Sequence, residues 1–211
     1  MTILPTQLRK LALAASLAFA CALPGLAAAD EAGDLVFTER APWSLPDGGE
    51  VWALDIVVPQ GAEVRAFRDG KLSLVTTTDP KDGKPMLQLL EDGGGLERKI
   101  GPFPSDGGDP TVVFFLETVA RNMAASSGGS PYYIRNRLKD AVFRGGELTS
   151  EGDTKVAVFR PFLNDPNKAR MGVFEQLELR FVIADPKEPI ASMTATTGGE
   201  TPAFLVSMVQ P

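Results

Sequence analysis

Tyr132, Tyr133, Arg135, Arg137 and Lys139 fall within eight consecutive positions of a chain that has only two tyrosines. A phenol hydroxyl both donates and accepts, and a guanidinium presents a fork of donors that can grip a carboxylate or phosphate at two points. These residues are therefore candidates for holding an anionic headgroup, with apolar neighbours taking its tail. The bland alternative is that the tyrosines pack between a helix and a sheet while the cations pair with acids on neighbouring strands. Trp43, in Ala-Pro-Trp-Ser-Leu-Pro, is a further candidate. An aromatic flanked by prolines in a loop either stands exposed for a partner or plugs one end of a barrel-like sheet.

Much other chemistry is excluded by residue type. The 211 residues include no histidine, and the one cysteine is Cys21 in the N-terminal segment. Zinc held by nitrogen and sulfur ligands, His- or Cys-ligated haem, iron–sulfur clusters and thiol catalysis all lose their ligands or nucleophile. A Ser-His-Asp triad is excluded too, and no serine begins an S-x-x-K pattern: Ser130 reads "SPYY" and Ser150 "SEGD". The Gly-Lys pairs continue as "GKL" and "GKP", so a phosphate loop is absent. No cofactor and no metal are expected. Carboxylates remain as catalytic groups, with Glu117, Asp140 and Glu147 as candidates for a carboxylate-only hydrolase, the third-ranked reading. The acid–glycine clusters at 47–50, 79–84 and 106–109 lack the spacing of a calcium loop and read as turns.

The first residues carry Arg9 and Lys10, an apolar run from Leu11 that breaks at Pro24-Gly25, and then small residues. That order is a secretory signal peptide, with cleavage expected after Ala29 behind the Ala27-x-Ala29 pair. The run is too short to span a membrane, and no later segment comes closer, so no transmembrane segment is expected in the mature chain. Cys21 raises a lipid anchor, but Ala18 and bulky Phe19 stand where a lipoprotein signal wants leucine and a small residue. Periplasmic export without an anchor is the expectation. Loss of two leader cations takes the net charge from −6 to −8, which argues against nucleic acid as a partner.

The elements that must position the candidates are read from periodicity. Residues 30–211 are read as one exported domain, with strands over 30–108, a helical hairpin over 109–145 and strands again over 154–210. In "VWALDIVV" Trp52, Leu54, Ile56 and Val58 share a face, and Asp69-Gly70 reads as a two-residue hairpin turn pairing Arg68 with Lys71. The runs "PMLQLLED" and "LERKIG" are joined by Gly93, Gly94 and Gly95. Asp109-Pro110 and Ser130-Pro131 each pair a helix N-cap with a proline at the first helical position. Glu117 and Arg121 stand four apart as an ion pair within the first helix. The second helix carries Ile134, Leu138, Ala141 and Val142 inward, pairs Asp140 with Arg144, and ends at a left-handed Gly145. "GGELTSEGD" reads as a loop, and in "FEQLELRFVIAD" Leu177, Leu179, Phe181 and Ile183 face one way.

The fold class is α+β: an antiparallel, curved, half-barrel-like sheet packed against a central helical hairpin. In outline alone this resembles the half-barrel lipoprotein carriers of the bacterial envelope, with no shared motif. The functional expectation is a non-catalytic periplasmic protein that binds or carries an amphiphilic or small anionic ligand within the curved sheet. The alternative is a cell-envelope protein that acts through another protein.

Overall fold

The computed structural model describes residues 25–64 and 66–211. The expected leader and Cys21 lie outside the described residues up to position 24, and from Gly25 the backbone is helical. Among the described residues no helix is long and apolar enough to cross a membrane.

The strands are β1 (Glu50–Val57), β2 (Phe67–Thr78), β3 (Pro85–Gly93), β4 (Leu96–Pro104), β5 (Glu147–Glu151), β6 (Thr154–Phe159), β7 (Glu178–Ile183), β8 (Ser192–Thr196) and β9 (Leu205–Val209). They form a single antiparallel sheet in the order β4-β3-β2-β1-β9-β8-β7-β6-β5, which does not close into a barrel. Two meanders meet at its centre, where Leu54 lies opposite Met208 and Ile56 opposite Val206. The edges are therefore β4 and β5, and the chain must travel from one to the other over eight inter-strand steps, roughly 38 Å at ordinary strand spacing. The helices α2 (Pro110–Ser127) and α3 (Pro131–Arg144) carry it across.

Both helices start as their sequences require. Asp109 Oδ1 accepts from the Thr111 N–H at 2.8 Å, and Ser130 Oγ accepts from the Tyr133 N–H at 3.4 Å, each ahead of a proline. Strand alternation supplies the other half of the core: Trp52, Leu54 and Ile56 of β1 and Leu179, Phe181 and Ile183 of β7 are buried. They meet Val112, Phe115, Val119 and Met123 from α2, which rests on β3, β8 and β9. Phe181 makes edge-to-face contacts with Phe115 at 5.6 Å and Phe159 at 5.7 Å. Each such side chain withdrawn from water contributes about 1.5–3 kcal/mol.

Several local features differ from the expectations. A helix, α1 (Gly25–Val36), occupies part of the stretch expected to hold strands; Ala32 and Val36 are buried, and α1 covers β5 and β6. Asp69-Gly70 is no hairpin turn, because β2 runs straight through it and Lys71 pairs with Ala53 and Asp92. A bulge lies one residue earlier, where Arg68 and Asp69 together oppose Asp55 and Asp69 takes φ 59°, while Gly70 pairs regularly with Leu54. Aspartate tolerates the left-handed conformation that a hairpin turn or this bulge takes, so Asp69 suits either. The expected loop "ELTSE" is the edge strand β5, most of whose side chains are exposed; shortness and charge protect such an edge from mispairing. Gly145 is extended at φ −172°, not left-handed.

Arg40 joins three of these pieces. Its side chain is fully buried, and it donates to the last-turn carbonyls of α1, Leu35 at 3.5 Å and Val36 at 3.2 Å, to Thr38 O at 3.0 Å, and to Glu188 O at 2.9 Å in the β7–β8 connection. Its Nη1 lies 3.4 Å from Oδ2 of Asp109, the cap of α2. Burial pushes the guanidinium pKa below its ordinary value, and the Asp109 charge opposes that shift. Arg40→Met leaves a buried carboxylate unpaired and helix carbonyls unsatisfied, so urea unfolding at neutral pH is expected to show a loss of about 3–5 kcal/mol. Asp109→Asn added to Arg40→Met is expected to cost less than the two single changes summed, because the stranded charge is then gone.

Candidate functional site

The 100° step of the helix divides the five clustered residues among different surroundings. Tyr132 is 71 % exposed. Lys139, seven residues on, is also exposed and has no ion pair among the described residues. Arg135 turns toward α2, where its Nε and Nη2 both engage the Glu117 carboxylate, the latter at 2.8 Å. Hydrogen bonding to Glu117 raises the Arg135 pKa. The expected Glu117–Arg121 pair is thereby displaced: Arg121 Nε donates instead to the Glu117 carbonyl at 3.4 Å.

Tyr133 and Arg137, four apart, share a face and meet Asp165. The Tyr133 hydroxyl lies 2.7 and 2.9 Å from the two Asp165 oxygens and accepts from Asn167 Nδ2 at 3.0 Å. Arg137 Nε lies 2.6 Å from Asp165 Oδ2, a charge contact in which the N–H is not aimed at the oxygen. The Asp165 side chain is fully buried, and its Oδ1 also accepts from the Asn167 N–H at 2.7 Å. Residues 165–167 are an Asx turn that serves as the anchor of α3. Asp-Pro-Asn is a legible turn signal, but its position opposite Tyr133 depends on tertiary packing that local sequence does not reveal.

Beside this anchor, the last turns of α3 and the start of the chain after β6 enclose a cleft of about 500 Å³. Arg137, Arg144 and Arg160 line it with Asp140 and Glu147, and Leu163, 53 % exposed, stands at its wall beside Pro161 and Val158. Arg160 is held at 2.9 Å by both Glu147 and Glu178, and these acids raise its pKa. Arg144 has only Asp140, at 4.0 Å. The three carboxylates considered for acid–base work are thus each paired with an arginine: Glu117 with Arg135, Asp140 with Arg144, and Glu147 with Arg160.

The volume expected for a tail inside the sheet is filled by Trp52, Phe115, Phe159, Phe181 and Phe204, all fully buried or nearly so. Trp43 is half-buried against this core, and its Nε1 is buried without a partner among the described residues. The acid–glycine cluster at 79–84 is a turn: Asp79 Oδ1 accepts from the Lys81 N–H at 2.8 Å, and the Gly83 N–H returns to Asp79 O at 2.9 Å. No family model matches the chain, and no curated protein or solved structure is significantly similar to it.

The Asp165 anchor makes a quantitative prediction. Tyr133→Phe and Asp165→Asn are each expected to lower unfolding stability by about 1.5–3 kcal/mol, and a double-mutant cycle should return a positive coupling of about 1 kcal/mol or more. Additivity within error would show that the hydroxyl and the carboxylate do not act together.

Proposed function

We propose that this chain is a non-catalytic exported binding protein whose cleft at the end of α3 takes an anionic group carrying an apolar part. The observation that carries the reading is the convergence of Arg137, Arg144 and Arg160 around one open volume walled by Leu163, Pro161 and Val158. Asp165 and Glu178 hold Arg137 and Arg160 from behind the cleft, and Arg144, 4.0 Å from Asp140, is the least closely matched of the three. The outer Nη atoms of Arg137 have no hydrogen-bond partner among the described residues, while Asp165 fixes the inner edge of the same guanidinium. A donor held in place before the ligand arrives loses little entropy on binding. The cleft volume lies within the range of ordinary small-molecule sites.

A second reading is favoured by the filled inner face: the occupant is a segment of an envelope protein whose acidic side chain or terminal carboxylate reaches the same arginines. The two readings share the anionic contact and differ in the body attached to the anion, a hydrocarbon tail in one and a peptide in the other. For a free amphiphile, laurate should bind the mature chain more tightly than dodecanol does, and Arg137→Gln with Arg144→Gln should weaken laurate by about tenfold or more. Isothermal titration at two salt concentrations checks this, since affinity for an open, charged cleft falls as salt rises. Equal affinity for acid and alcohol would remove the anion reading. Silence toward both, with capture of an acidic peptide that depends on the same arginines, would favour the second.

A further inference from the structure

Glu91 breaks the inward row of β3. Leu87 and Leu89 point into the core, and strand alternation places the next inward side chain, a carboxylate, beside them. It is paired with Arg98, its registered neighbour on β4. Above this pair, Thr118, Arg121 and Asn122 share one face of α2 at spacings of three and four. These residues, with Ile56, Phe67 and Leu96, enclose a pocket of about 230 Å³. Its floor is tightly built: a Cβ on Gly70 or Gly93 would come within 2.3 or 2.4 Å of the Phe67 ring, so only glycines allow the ring to lie there.

The polar lining is incomplete as it stands. Thr118 is 4 % exposed, yet its hydroxyl has no hydrogen-bond partner among the described residues. Buried hydroxyls are almost always paired, so an unpaired one on a residue that lines a pocket marks a place for a polar atom. Glu91 and Arg98 cancel each other's charge. Arg121 has no acidic partner among the described residues and uses only its Nε, on a backbone carbonyl. The pocket is therefore left with one unmatched positive charge, one unmatched hydroxyl and an apolar floor.

We infer that this pocket binds a compact aliphatic monoanion, its carboxylate taken by Arg121 together with the Thr118 hydroxyl and the Asn122 amide, its hydrocarbon lying on Ile56, Phe67 and Leu96. The pocket shares no lining residue with the cleft at the end of α3, so neither depends on the other. The test is amide-resolved NMR titration of the mature chain with isovalerate and with its neutral isostere isovaleramide. Saturable shifts centred on residues 91–98 and 118–122 are expected with isovalerate, and binding about tenfold weaker with the amide. Arg121→Gln should weaken isovalerate by a similar factor. Thr118→Val, which keeps shape and removes the hydroxyl, should weaken it while raising the thermal midpoint, whereas Arg137→Gln should leave it unchanged. No saturable shift at millimolar isovalerate, equal affinity for acid and amide, or unaltered affinity in Thr118→Val would each overturn the assignment.

Discussion

Arg40 brings a full positive charge into the interior, directs its donors to four backbone carbonyls and places its charge 3.4 Å from one carboxylate, groups that belong to separate parts of the chain. An open nine-stranded sheet has one face that must be covered, and the pieces that cover it, α1 and the α2–α3 hairpin, are separated in sequence by four strands. Apolar burial presses them onto the sheet but does not choose their register. The buried guanidinium does, because the end of α1, the cap of α2 and the β7–β8 connection have to reach it together. Desolvation works against the charge, so the arrangement holds only when every one of those contacts is made. A buried pair of this kind is costly to break, because removing one partner strands the other's charge.

With the inner face filled, the two clefts considered for ligands lie at the margins of the helix layer. One margin is the end of α3 against the chain leaving β6, and the other is the flank of α2 against β1–β4. Both are bordered by residues held rigidly from behind: Asp165 fixes Tyr133 and Arg137, and Glu91 fixes Arg98. The exposed pairs nearby are different in kind. Asp140–Arg144, at 4.0 Å and open to solvent, adds little to stability, which leaves Arg144 available to another anion.

Features set by short-range interactions are legible in the sequence, and those set by distant partners are not. Asp109-Pro110 and Ser130-Pro131 start their helices because cap and proline act within one turn, and Leu177, Leu179, Phe181 and Ile183 are all buried because alternation is local. The polar strand β5 is illegible for the same reason, since its partners are supplied by β6 and not by its own pattern. Asp69 carries a true conformational signal, a positive φ, with two possible uses. Of the clustered residues, Arg137 reaches a cleft, Tyr133 and Arg135 serve packing and pairing, and Tyr132 and Lys139 face solvent. Glu91 is visible in principle as an acid in the inward register of "MLQLLED", and Arg160 as a cation ending a strand. The burial of Arg40 has no local signal, because the carboxylate and carbonyls it meets lie up to 148 residues away.

Native-state amide hydrogen exchange tests most directly whether one buried charge locks the helix layer to the sheet. The amides of Val36 in α1, Phe115 in α2 and Met208 in β9 should open with a single common free energy, and Arg40→Lys should lower all three together. Exchange of Val36 through a separate, lower-energy opening, with Phe115 and Met208 unchanged by the substitution, would contradict the account.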